Sequence, residues 1–391
     1  MDWKTAARQL AGRTAIRQES RWYEPVATTP RHTFVPRWWA RDTTGDGRQG
    51  WQRRDGASDP DQWLRTAYAD TTLVTRVGSQ HADHAGTDGT LVRSRALRST
   101  SSSTLPSLIL MMYRAAWIQD TSRLLVTCGS GYGTALACAR VGEDRVTSVD
   151  VDGYLVESAR ARLAEAGHHP RVEVCDLTGN LPDGGYDRIV STVAVPSVPA
   201  SWLQALAPGG RLVTTIAGTG IVVVADRTPD GGAVGRVAPE AAGFMTARHG
   251  DDYDDTFPES PPLWQKAQYA DGDTVTTSRF PLVYVPDTWD VRSTLELLAP
   301  GIDHRQHHGA DGSRTLYMLH ADGSWARATA PDRRASPTVH QGGPRRLWDE
   351  LDRVRTWLAI DGDLPVRGSD VTITPEGVTT FSRRGWSATL S

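Results

Sequence analysis

The stretch LLVTCGSGYGTALA, residues 124–137, decides the fold. An apolar strand runs into a turn carrying Gly129, Gly131 and Gly133, and a helical pattern follows at once. A backbone that bends this sharply and lets a ligand come close needs residues without a Cβ. The next strand, TSVD, closes on Asp150 about 20 residues on, where an acidic side chain in such folds accepts hydrogen bonds from ribose hydroxyls. A third strand ends in Cys175-Asp176. A carboxylate there either accepts from an exocyclic amino group on adenine or caps a turn. No Lys-Ser/Thr pair follows the glycines, so nothing marks a phosphate cradle, and an adenosine ligand without phosphates fits better.

Outward from that turn, residues 105–230 alternate helical patterns with short β-branched runs, the mark of βαβ units. LPSLILMMYRAAWI, TALACARVG and GYLVESARARLAEAG read as helices, and RVTSVDV, RVEVCDL and YDRIVSTVAV as strands. A short helix, SWLQALA, is expected to end at the Pro208-Gly209-Gly210 turn, before a late pair of strands, RLVTTIAG and IVVVADRT. The expected fold is α/β: a Rossmann-like, doubly wound, mostly parallel sheet with an antiparallel edge, an N-terminal extension and a smaller C-terminal domain. The divisions fall at residues 1–100, 101–248 and 249–391. Polar patches at Asp42–Gly56 and Ser79–Gly89 read as surface loops, and DDYDDTFPESPP, with Asp251, Asp252, Asp254 and Asp255, as a solvated linker. Near the end, Leu347, Leu351, Val354, Trp357 and Leu358 share one helical face, and DVTITPEGVTTF reads as a hairpin turning at Pro375-Glu376-Gly377, with the helix docked against it.

Composition narrows the function classes. Hydrophobic residues make up 39% and charged residues 23% of 391, as in ordinary soluble domains. The 43 basic and 46 acidic residues leave a formal charge of -3 without a basic stripe, which speaks against a nucleic-acid partner. The first residues mix charges throughout, so neither a signal peptide nor a membrane anchor is expected, and the location reads as cytoplasmic. Cys128, Cys138 and Cys175 have no zinc-ligand spacing and read as small buried thiols. His304, His307 and His308 sit in what reads as a polar loop with no ligand frame, so no metal is expected.

Taken in order, VATTPRHTFVP, STLPSL, PSLILMMYRAA, VTCGSGYGTALACA, TSVDVD, VEVCDLTG, YDRIVSTVAVPSVP and LAPGGRLV resemble the protein-L-isoaspartate O-methyltransferase family over roughly residues 20–245. The resemblance implies a domain at 101–248 that binds S-adenosyl-L-methionine and releases S-adenosyl-L-homocysteine. It places Thr127, Cys128, Gly129, Gly131, Tyr132, Asp150, Val151, Asp176 and Leu177 around that cofactor. It also makes Thr104, two before Pro106, the residue that contacts the acceptor carboxyl, with Ser103 and Ser102 alongside. These hydroxyls precede a helix N-terminus, where backbone N–H groups favour an anion. One departure stands out: with Ser130-Gly131-Tyr132 as anchor, the family's acidic residue at the end of the first strand corresponds to Leu125 and its first glycine to Thr127. The alternative register puts Thr127 at the acidic position, and either way the carboxylate is missing.

A carboxylate is ionised at neutral pH, so its methylation needs no general base; positioning and desolvation carry the rate. The long C-terminal region, WYEPVATTPRHTFVPRWW and GPRRLWDELDRVRTWL look similar to family members that act on ribosomally made, ATP-grasp-crosslinked peptides. That subgroup methylates an aspartate of a precursor peptide on the way to an aspartimide, and the resemblance makes residues 249–391 a peptide-docking accessory. The alternatives are a general isoaspartyl repair enzyme, a noncatalytic peptide-binding homologue, and, from the glycine turn alone, a nicotinamide oxidoreductase.

Overall fold

The computed structural model describes residues 2–15, 19–43, 49–57, 59–86, 98–250 and 261–391. Ten strands form the central sheet: β1 (Leu124–Thr127), β2 (Val146–Asp150), β3 (Arg171–Val174), β4 (Tyr186–Val195), β5 (Leu206–Ile216), β6 (Ile221–Arg227), β7 (Ala233–Ala241), β8 (Asp370–Ile373), β9 (Thr379–Arg383) and β10 (Trp386–Leu390). Their order is β10-β9-β8-β7-β6-β5-β4-β1-β2-β3. The strands from β3 to β5 are parallel, and β6 onward pair antiparallel. This is the expected Rossmann-like α/β sheet with its antiparallel edge. All four residues of β1 are buried, because helices cover both faces of a parallel sheet. Leu124 and Val126 enter one core with Tyr132 and Leu136, while Leu125 enters the other with Ile189, Trp202 and Leu212.

Two local expectations change. The Pro208-Gly209-Gly210 segment does not separate a helix from a strand: the helix Ala200–Ala205 stops earlier and β5 runs through it. The pairing of β5 with β4 shifts register between Leu206 and Arg211, and Gly209 takes φ +71°, so the segment is absorbed as a strand irregularity. The patch at Asp42–Gly56 is not simply a loop, since Arg37–Thr43 and Gln49–Asp55 pair as antiparallel strands around residues 44–48, which lie outside the described residues. The acidic run at 251–255 also lies outside them.

The N-terminal extension builds its own sheet, which includes Leu73–Val77 and Ser99–Ser103. Arg31, fully buried, ties this layer together by donating to the carbonyls of Ala67, Ala69 and Thr71 at 2.7–2.9 Å. The PRHTFVP segment thus fixes the chain that leads to Thr72 and, across the sheet, to Ser102. A second tie is Asp152, which faces His81 at 3.2 Å and Arg76 at 3.4 Å. Against the upward push of burial, the hydrogen bond and charge of His81 and the charge of Arg76 take its carboxyl down to about 2.

After residue 260, Thr274–Thr277, Thr338–Gly342, Trp325–Ala330, Arg314–Leu319 and Asp303–His308 make a separate antiparallel sheet. The helix Leu347–Asp361 packs on it through Leu347, Leu351 and Val354, the face read from the sequence, with Trp357 and Leu358 partly buried. The hairpin at 370–383 forms around Gly377, at φ +92°, but pairs with β7 of the central sheet instead of receiving that helix. The division at residue 248 is therefore crossed by the last three strands. Asp303–His308 is a strand, not a loop; burial lowers the pKa of His304 to about 4 while His307 and His308 are exposed. No group of three metal-ligating side chains occurs, and no helix is long and apolar enough to cross a membrane, among the described residues.

Candidate functional site

At the carboxyl ends of the parallel strands the order reverses, with β1 between β2 and β4, and a cavity of about 410 Å³ opens there. Thr127, Gly129, Asp150, Val151 and Leu177 line its floor. Gly129 adopts φ +52°, where a side chain would be strained, and its N–H donates to Asp150 Oδ2 at 3.0 Å. A Cβ at Gly129 would lie 3.4 Å from the Ser102 carbonyl, so the glycine turn and the hydroxyl strand touch at this point. Asp150 Oδ1 accepts from the Asp152 N–H at 3.1 Å. Burial raises the pKa of the Asp150 carboxyl, against the pull of these two N–H groups.

Asp176 is not among the residues that line the cavity. Its Oδ1 accepts from the Thr178 N–H at 2.8 Å and hydroxyl at 2.7 Å, and its Oδ2 lies 2.8 Å from His249 Nδ1. Burial pushes its carboxyl up, but the Thr178 and His249 hydrogen bonds prevail and hold it below the usual value. Its neighbours Cys175 and Leu177 reach the cavity wall.

The opposite wall carries Thr72, Ser102 and Thr104. Ser103 points away, its buried Oγ without a hydrogen-bond partner among the described residues, beside a small void of about 30 Å³. The helix that follows, α1 (Pro106–Ala115), does not offer its N-terminus freely. Asp70 accepts from the Ser107 N–H at 2.9 Å and Thr72 Oγ1 from the Leu105 N–H at 3.2 Å, so a carboxylate of the chain already fills the expected anion position.

Three more residues assigned to the cofactor stand apart from the main cavity. Tyr132, at the start of α2 (Tyr132–Val141), is fully buried against Phe34 and Arg31. Gly131, at φ +88°, lets the turn pack onto α3 (Gly153–Glu165), where a Cβ would lie 3.1 Å from that of Ala159. The buried Cys128 donates its N–H to the Val149 carbonyl at 2.9 Å and reaches only the small void. The motif is local in sequence, but the sharp turn sends alternate side chains into the core.

Two other features escaped the sequence. Thr192, near the end of β4, faces Thr127. The segment 243–249 lies across the cavity, held where Met245 accepts from the Ala194 N–H at 2.8 Å and Ala194 accepts from the Ala247 N–H at 2.7 Å. It brings Phe244, Met245 and Arg248 to the cavity. Burial lowers the pKa of the Arg248 guanidinium, and the charges of Asp150 and Asp152 oppose this. The switch-point position of Thr192 is a signal available from strand order; the crossing segment has none.

A doubly wound sheet with a glycine turn and an acidic residue at the ends of adjacent strands defines a Rossmann-like protein of the class I methyltransferase type. The family model for Protein-L-isoaspartate(D-aspartate) O-methyltransferase (PCMT) matches residues 86–245. The protein-L-isoaspartate O-methyltransferase of Roseiflexus castenholzii is 31% identical over 161 residues, 40% of this chain and 71% of that protein. The chain therefore belongs to the protein-L-isoaspartate O-methyltransferase family. That of Thermococcus onnurineus is 34% identical over 115 residues, 28% of this chain and 52% of that protein. The chain thus spans about half the length of several curated relatives it matches. A solved protein-L-isoaspartate O-methyltransferase aligns over 99% of this chain and 98% of its own at 16% identity, with a TM-score of 0.47.

Proposed function

We propose that this protein is an S-adenosyl-L-methionine-dependent O-methyltransferase acting on an aspartyl-type carboxylate of a polypeptide. The observation that carries this is the juxtaposition of the Gly129 turn and Asp150 with Ser102 and Thr104 across one cavity. Each Asp150 oxygen takes one backbone N–H, and a carboxylate oxygen has room for a second donor, which suits the two ribose hydroxyls of the cofactor. Val151 and Leu177 line the nucleoside end. The cofactor supplies a methyl group on a positively charged sulfur.

The chain's own part is binding, orientation and exclusion of water. Hydroxyls of Ser102 and Thr104 orient the acceptor, and the crossing segment with Phe244 and Met245 shields it. Asp150 and Arg248 are the charged residues on the cavity wall among the described residues, with no histidine or lysine placed as a base. A carboxylate acceptor, with a pKa near 4, needs none. Three cysteines without disulfides accord with work in a reducing cytoplasm.

The names of the relatives favour an isoaspartyl residue as acceptor, as in protein repair. The reading in which a ribosomally made precursor peptide is methylated on aspartate and closed to an aspartimide draws its support from residues 261–391, which add a second sheet and three central strands. Mass spectrometry with S-adenosyl-L-methionine and two substrates, an isoaspartyl test peptide and a precursor peptide encoded beside the gene, separates them. A methyl gain on the isoaspartyl peptide supports repair. A methyl gain then methanol loss on the precursor alone supports maturation, and no gain on either contradicts the proposal.

A further inference from the structure

Thr127 and Thr192 form a bonded pair where β1 meets β4. Their Oγ1 atoms are 2.6 Å apart, and the Thr192 N–H donates to Thr127 Oγ1 at 2.9 Å. Both line the main cavity and the small void beside Ser103. The strand order fixes what lies beside them. A nucleoside spanning the ends of β3 and β2, at Leu177 and Asp150, directs the substituent on its 5′ carbon toward β1 and β4. At that end the lining holds no carboxylate among the described residues, and Leu125, which one register sets opposite the family's acidic residue, points into the apolar core.

We propose that the Thr127–Thr192 hydroxyl pair receives the amino-acid end of the methyl donor in place of a carboxylate. The inference rests on the donor-binding reading of the cavity. Hydrogen-bond capacity supports it. Thr127 Oγ1 already accepts from the Thr192 N–H. If the Thr192 hydroxyl also donates to it, Thr127 keeps one proton to give, and Thr192 keeps two lone pairs. The pair then offers an acceptor for an ammonium and a donor for a carboxylate within one step of each other, which matches a zwitterion. A carboxylate in the same place would serve the ammonium alone and repel the other group.

The test is calorimetric titration of the whole protein with S-adenosyl-L-homocysteine and with methylthioadenosine, which keeps the nucleoside and thioether but lacks the amino-acid end. The wild type should prefer S-adenosyl-L-homocysteine. Thr192→Val should weaken that ligand roughly tenfold or more, the scale of a lost hydrogen bond to a charged group, while leaving methylthioadenosine unchanged. Thr192→Ser, which keeps the hydroxyl, should restore the preference, and Thr127→Val should behave like Thr192→Val. Thermal unfolding by circular dichroism shows that each variant is folded, since valine preserves the β-branched shape in the strand. Equal weakening of both ligands, or an unchanged preference in Thr192→Val, overturns the inference while leaving the donor site intact. Failure of both ligands to bind the wild type removes the donor reading itself, and the pair's role with it.

Discussion

The central sheet and the C-terminal sheet each carry a cleft, and the proposed donor site lies in the central one. The cleft beside the helix Leu347–Asp361 measures about 570 Å³ against about 410 Å³ at the ends of β1, β2 and β4. Its lining includes Ser278, Arg279, Asp349, Asp352 and Thr356, several of whose polar groups pair with neighbours, while Asp352 Oδ1 and the Nε1 of Trp348, also in the lining, have no hydrogen-bond partner among the described residues. Asp352 takes the Ser278 hydroxyl at 2.7 Å and faces Arg355 at 3.6 Å, Asp349 accepts from Gln341 at 2.8 Å, and Arg279 donates to Thr356 at 2.7 Å. In the central cleft Asp150 accepts from the backbone N–H groups of Gly129 and Asp152, feels the charge of Arg248 and lines the cavity. The two clefts differ in position: the central one opens at the carboxyl ends of the parallel strands, where the strand order reverses, and the other lies beside a helix packed on an antiparallel sheet.

Four substitutions or conditions would break or sharpen this contrast. The largest effect is expected from Asp150→Asn, which should weaken S-adenosyl-L-homocysteine roughly a hundredfold because hydrogen bonds to a charged acceptor are lost; calorimetry reads it directly. An affinity equal to wild type would move the nucleoside elsewhere. Next, Trp348→Ala removes a fully buried side chain of the C-terminal unit and should cost about 3–5 kcal/mol in denaturant unfolding, yet leave that ligand's affinity unchanged. Lost affinity in a folded Trp348→Ala protein would show that the two clefts are coupled. Thr104→Ala should lower kcat/KM for the acceptor peptide roughly tenfold while cofactor affinity holds, as expected of one lost orienting hydrogen bond.

The smallest effect concerns pH. Burial raises the Asp150 carboxyl, so its ionised form is lost on acidification sooner than for an ordinary aspartate of pKa about 3.9. Because the folded value lies above the unfolded one, this group's contribution to stability is full below the unfolded pKa and fades as pH rises through the folded one. Cofactor affinity runs the other way, since the ribose hydroxyls need an ionised acceptor. As pH is lowered, a calorimetric series should show affinity beginning to fall while still above the ordinary carboxylate range, and a profile flat down to that range would contradict it.

The same contrast explains what the sequence made legible. Gly129, Asp150 and the helices between strands were readable because βαβ periodicity and turn chemistry act over a few residues. Thr104 and Ser102 needed a family resemblance to be singled out, and their neighbour Ser103 is buried with its Oγ beside the small void. The pairing of Ala233–Arg236 with Asp370–Ile373 joins segments separated by an entire sheet, and no local pattern announces it. Nor does sequence alone tell that Asp70 occupies the N-terminus of α1, or that Met245 and Arg248 return over the cavity.

Hydrogen–deuterium exchange with and without S-adenosyl-L-homocysteine tests the placement of the donor site most directly. Protection concentrated at 127–133, 149–152 and 243–249, with 348–357 unaffected, is the predicted result. Protection at 348–357 with no change at the ends of β1 and β2 would contradict it.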